Sequence, residues 1–183
     1  MTAPSQGPEW PLTVAAVRVT AQPLRLSVEA GPAVREALAG RFAILAIDSL
    51  AADVALRRLT DGDIAASARL RARLQQACVV TLEPVAESID VTIEGRFTHR
   101  ASDPGDPLVL VDPDDETDEP EPIVDGTLAL GEWLAQQLSL AMDAYPRAPG
   151  AAVERTHAGE APETGPASPF GDLARLRKDS QDG

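Results

Sequence analysis

A chain of 183 residues with 44% apolar and 25% charged side chains has the composition of a soluble globular protein, and its length favours one domain with tails. One cysteine excludes an internal disulfide and a thiolate zinc cage, and three Phe, two Trp and one Tyr leave few platforms for stacked bases. No run approaches the roughly 18 apolar residues of a membrane span, and the N-terminus has neither a basic region nor an apolar stretch, so a reducing cytoplasm is the expected compartment and no membrane a partner. The net charge of −13 is uneven: residues 1–98 hold ten basic and eleven acidic side chains, 99–126 hold one and ten, and 127–183 hold five and eight. Fifteen of the sixteen cations are arginine.

In chain order, Val14 to Thr20 reads as a strand joined by a short turn to Leu24–Glu29, where Leu24, Leu26 and Val28 alternate with Arg25, Ser27 and Glu29. Gly31-Pro32 opens a short helix from Ala33 to Phe42, since proline suits a first helical turn. Ile44 to Arg58 is strand-like again, and Asp61-Gly62 supplies a turn. From Ile64 to Gln75 every second residue is apolar, with Arg69, Arg71, Arg73 and Gln75 on the other side. A helix would spread those arginines around its girth and leave no clean apolar face, so a strand is predicted. Val85 to Phe97 alternates similarly, with Pro84 at an edge or bend. These elements make an α+β fold: a mainly antiparallel sheet or small partly open barrel, a short helix after the second strand, and a longer C-terminal helix packed on it.

Residues 99–126, rich in Pro and acids, read as an acidic loop within a single domain at 1–146, with Leu108–Val111 as the one piece able to add a strand. Thr127 is the expected cap of a helix from Leu128 to Met142, whose stripe is Leu130, Trp133, Leu134, Leu138 and Ala141. Residues 147–183 read as a flexible tail with a terminal helix near 169–178, edged by Phe170, Leu173 and Leu176.

The search for chemistry excludes more than it finds. Gly126 and Gly131 have the spacing of a phosphate loop, but Glu132-Trp133 replaces its lysine and hydroxyl. The acids from Asp112 to Asp118 alternate as in a calcium loop, yet lack its glycine and final glutamate. No catalytic residue, cofactor or metal ligand is assigned, and Cys78 reads as structural, with no His or Lys nearby to lower its pKa. The row Arg69, Arg71, Arg73 remains: same-face strand residues lie roughly 6.6 Å apart, a spacing that tracks phosphates. The competing reading is a solvated face balanced by Asp90, Glu94 and other cross-strand acids.

Four stretches carry a resemblance: Cys78-Val-Val-Thr-Leu-Glu-Pro-Val85, Leu130-Gly-Glu-Trp-Leu-Ala-Gln-Gln-Leu-Ser-Leu-Ala-Met-Asp143, Tyr145-Pro-Arg147 with Pro149-Gly150, and Pro169-Phe-Gly-Asp-Leu-Ala-Arg-Leu176. Their succession resembles the YceD family, the large ribosomal RNA subunit accumulation proteins, in an alphaproteobacterial-type version. The resemblance implies a non-enzymatic role in ribosome biogenesis, with large-subunit ribosomal RNA or a ribosomal protein as partner. It departs at Thr81, where many relatives have a second cysteine, so no zinc role carries over. Arg69, Arg71 and Arg73 are the candidate RNA contacts, and Tyr145, Arg147, Phe170, Leu173 and Leu176 the candidate partner contacts. In the alternative reading the acidic loop and the C-terminal motif bind a basic protein without direct RNA contact.

Overall fold

The structure, a computed structural model, describes residues 8–99 and 120–151. In chain order these form β1 (Val14–Ala15), one 3-10 turn (Ala16–Arg18), β2 (Leu24–Glu29), α1 (Pro32–Arg41), β3 (Ala46–Arg58), β4 (Ile64–Ala77), β5 (Pro84–Thr98), β6 (Glu121–Pro122), β7 (Thr127–Leu128) and α2 (Leu130–Ala141). Strands β2 to β5 are an antiparallel meander, β6 lies parallel to the end of β5 through two residue pairs, and β1 pairs separately with β7. The fold is α+β, as the alternating patterns predict, and the sheet does not close into a barrel.

Period-2 patterning sets the central strand. Ile64, Ala66, Ala68, Leu70, Ala72 and Leu74 of β4 are all buried, whereas Ser67, Arg69, Arg71 and Arg73 are exposed. The buried side continues through Leu50, Ala52, Val54 and Leu56 of β3 and Ile89 and Phe97 of β5. Over this side lie Leu130, Trp133, Leu134 and Leu138 of α2, with the Phe97 and Trp133 rings edge to face at 5.9 Å. Each fully buried leucine contributes about 2–3 kcal/mol by leaving water, and leucine with alanine supplies most of this core. Helix α1 begins at Pro32 and stops where Ala43 turns left-handed (φ 54°), its N–H meeting the Gly40 carbonyl and that of Ile44 meeting Ala39. Arg41 at its end joins α2 by donating two bonds to Glu132, at 2.8 and 2.7 Å, and a third to Glu9 at 3.0 Å.

Three expectations are corrected. Val14 to Thr20 is not a hairpin partner of β2: Val14 and Ala15 pair with Leu128 and Thr127, and the chain then turns. The Arg58 guanidinium imposes that turn by donating to the carbonyls of Val19, Gly62 and Ala16. Thr127 does not cap α2, because its backbone is committed to β7; the helix starts at Leu130 behind Ala129, with no side-chain cap. The end of the expected acidic loop is ordered, since Glu121–Pro122 pairs with β5 and Ile123 is buried. Leu108–Val111, most of the acidic loop and the terminal helix near 169–178 lie outside the described residues.

Candidate functional site

The face of the sheet turned away from α2 carries the arginine row. Register places Arg69 between Asp53 and Thr92, Arg71 between Ala51 and Asp90, and Arg73 between Ser49 and Ser88. The ion pairs run diagonally to this register. Arg69 donates through Nε and Nη2 to both Asp90 oxygens at 2.7 Å, and Arg71 donates through Nη2 to Asp53 Oδ2 at 2.6 Å. Both arginine side chains remain about half exposed, 59% and 45%.

The charges hold one another. The Asp90 carboxylate raises the pKa of Arg69, and Arg69 holds Asp90 below the usual carboxylate range. Asp53 is lowered first by the Ser27 hydroxyl, which donates to it at 2.8 Å, and then by Arg71. Arg73 makes no ion pair among the described residues. Glu94 stands opposite Ser67 instead of an arginine, so Asp90 and Asp53 do the balancing.

Small side chains keep this face low. A depression of about 570 Å³ lies over Ala55 and Ser67, flanked by Arg25 and Arg69. A second of about 400 Å³ lies over Ala51 and Ser88, beside Arg71 and Arg73. Each is walled by two arginines together with carboxylates, Asp53 in the first and Glu29 and Asp90 in the second, so an anionic oxygen cluster would compete with these for the forked N–H donors. Of the described aromatics, Trp10, Phe97 and Trp133 are buried in the core, Phe42 packs against it and Tyr145 is exposed after α2, and none lines either depression, so the face offers charge and hydrogen bonds without a stacking surface.

A second assembly, which the sequence reading missed, sits at the β4–β5 turn. The Cys78 sulfur is fully buried and accepts N–H bonds from Ala148 at 3.3 Å and from Val80 and Thr81 at 3.4 Å. The Ala148 amide, then Thr81 and Val80, lower the thiol pKa to about 6. Backbone amides and the Thr81 side chain thus do what no His or Lys was available to do. The donor set does not fit zinc, because one sulfur wrapped in N–H groups with Thr81 beside it supplies a single thiolate ligand. Among the described residues no group of His, Cys, Asp and Glu is placed to hold a metal.

The turn instead holds the chain after α2. Val79 N–H donates to the Pro146 carbonyl at 2.9 Å, and Gln76 Nε2 donates to the Asp143 carbonyl at 3.0 Å and to Glu87 at 2.8 Å. Tyr145 and Arg147 are thereby fixed at the far end of the hairpin from Asp61-Gly62, both exposed, with Pro146 buried between them. The structure does not bring them to the arginine row. Phe170, Leu173 and Leu176 lie outside the described residues.

No helix among the described residues is long and apolar enough to cross a membrane. No curated protein and no solved structure matches the chain. A family model does: the one described as large ribosomal RNA subunit accumulation protein YceD matches residues 66–177, more than half of the chain. Its span begins in β4 at the head of the arginine row and takes in the Cys78 turn and all of α2. This chain therefore belongs to the YceD family of large ribosomal RNA subunit accumulation proteins.

Proposed function

We propose that the chain supports accumulation of large-subunit ribosomal RNA in the cytoplasm as a binding factor without catalysis, and that the open sheet face contacts the RNA phosphate backbone. One observation carries the reading: Arg69, Arg71 and Arg73 project from one strand onto a low surface with an open depression at each end of the row. Arg73 is uncommitted among the described residues, and Arg71 uses only one of its terminal nitrogens on Asp53. Asp53 and Asp90 then act as a selectivity device. A phosphate must displace or straddle them, which disfavours stray anions and favours a backbone that meets several arginines together. Without stacking surfaces on the face, this mode reads shape and phosphate position in preference to base sequence.

The test is a salt titration of binding to a large-subunit ribosomal RNA precursor transcript, wild type against the triple variant Arg69→Gln, Arg71→Gln, Arg73→Gln. Each phosphate contact removed lowers the slope of log K against log salt by about 0.7–0.9, so the variant should lose about two units of slope with unchanged circular dichroism. Equal affinity and slope in the two proteins would refute the RNA contact. The ion pairs of Arg69 and Arg71 favour a second reading, in which the face is nearly charge-balanced and the partner is a basic ribosomal protein. Salt-sensitive capture of such a protein, lost on deleting 112–121, supports that reading.

A further inference from the structure

Beyond the arginine face, we propose that the outer edge of β5 is a strand-addition site for an extended, basic polypeptide segment. The directions of the backbone groups follow from the ladder. Cys78 and Glu83 form a hydrogen-bonded pair at the turn, Cys78 N–H donating to the Glu83 carbonyl at 2.8 Å. Antiparallel pairs alternate, so the odd residues from Val85 to Ile93 turn their N–H and C=O groups to β4 and the even residues turn theirs outward. Both ends agree. Pro84, which has no N–H, occupies an outward position, and the Thr98 carbonyl, also outward, accepts from Ile123 N–H at 2.7 Å.

Between those ends, the outward amides of Ala86, Ser88, Asp90, Thr92 and Glu94 meet no backbone partner among the described residues. The nine residues from Ala86 to Glu94 span about 30 Å of edge. The other edge, β2, has only Arg25, Ser27 and Glu29 facing outward by the same alternation, starting from the Ala30 N–H bond to Leu50.

Natural sheets blunt open edges with proline, bulges, lysine or inward charges. From Ser88 to Glu94 β5 has no proline, no lysine and continuous register with β4. Its inward side chains Val91 and Ile93 are only half-buried, although Leu70 and Ala68 beside them in β4 are covered. An added strand would cover them and satisfy the five outward residues.

Charge selects the occupant. The side chains flanking the edge include Glu87 on one face and Glu94 on the other, Asp90 is already paired with Arg69, and the nearest cation in β5, Arg96, is held by Asp61 and Asp63. A second copy would bring these acids against their own kind in a chain of net charge −13. A Lys-rich or Arg-rich extended peptide meets complementary charge on both faces of the edge.

The test uses the full chain and a ten-residue synthetic peptide alternating Lys with Val, followed by residue-resolved amide hydrogen exchange. At ten times Kd the exchange of the Ser88, Asp90, Thr92 and Glu94 amides should slow about tenfold. The amides of Ile89, Val91 and Ile93 should already be protected in the free protein. A peptide N-methylated at alternate residues, or one with Glu in place of Lys, should give no slowing. Thr92→Pro, which removes one outward N–H at a position where an edge tolerates proline, should abolish peptide binding with the fold retained by circular dichroism. Several outcomes would overturn the proposal: outward amides already protected in the free chain, protection rising with protein concentration alone, or binding indifferent to N-methylation.

Discussion

Trp133 reaches the underside of the sheet because residue 95 has no side chain: a Cβ there would stand 2.7 Å from the indole nitrogen. Gly131 is tighter, since a Cβ would lie 2.2 Å from the Trp10 carbonyl oxygen, which is backbone and cannot swing aside. Gly95 and Gly131 are therefore close-approach residues, and the apparent phosphate-loop spacing has two unrelated causes, since Gly131 is packed tight whereas Gly126 takes a left-handed φ of 70° with nothing near it. Gly95→Ala and Gly131→Ala should each cost about 1–3 kcal/mol, the usual range for overpacking, with Gly131→Ala the worse. Urea denaturation decides it, and two variants as stable as the wild type would contradict the close packing. Cys78 gives a different prediction. A thiol lowered to about 6 is thiolate in the folded chain at neutral pH, whereas the unfolded thiol titrates near 8.5. The stabilisation is thus complete above the unfolded pKa and lost as pH falls through about 6. Cys78→Ala should accordingly destabilise the protein more at pH 8.5 than at pH 5.5. Thiolate absorbance should titrate near pH 6 while thiol reagents react slowly, because the sulfur is fully buried.

At the scale of elements, what could be read from the sequence was whatever depends on neighbours along the chain. The arginine strand was legible because alternating Arg and Leu fits one backbone period only, and the α2 stripe because Leu130, Trp133, Leu134 and Leu138 share a helix face. Elements whose cause is distant were not. Val14–Ala15 pairs with residues more than a hundred positions on, and no local pattern announces it. Thr127 has the chemistry of a cap, but a tertiary strand pairing claims its backbone first. The same holds for the site: the row Arg69, Arg71, Arg73 and Asp90 as a balancing acid were visible, whereas the pairing of Arg71 with Asp53 and the Ala148 amide at Cys78 depend on residues distant along the chain. Arg58 tests this account. Its three carbonyl partners lie at Ala16, Val19 and Gly62, and lysine has no fork to span them. Arg58→Lys should cost about 2–3 kcal/mol, in line with hydrogen bonds from a charged donor. Hydrogen exchange should rise first around residues 14–20. Loss spread evenly over the whole sheet would show that Arg58 does not act as a local clamp.

For the whole molecule, the placement of charge decides how stability responds to acid. Residues 1–98 are nearly balanced, and the excess of carboxylates is concentrated in 99–126. Within the nearly balanced sheet the acid response falls to carboxylates with folded-state partners. Asp53 is lowered by Ser27 and then by Arg71, Asp90 by Arg69, and Glu132 by Arg41 with Gln136. For each the sign is the same: a folded pKa below the unfolded value of about 4 gives stability that is complete above it and is lost as pH falls through the folded value. These three groups should leave stability flat from pH 5 upward and give a steep decline below pH 4. Among them Glu132 matters most, because it is the least exposed and joins α1 to α2 through a bidentate bond. Glu132→Gln should lower stability at pH 7 by about 1 kcal/mol and flatten the acid limb. Asp90→Asn should change the acid limb little yet free Arg69 to strengthen phosphate binding. Urea midpoints from pH 3 to 8 on the three proteins measure both slopes, and an Asp90→Asn limb flatter than that of Glu132→Gln would move the acid-sensitive joint from the helix pair to the open face.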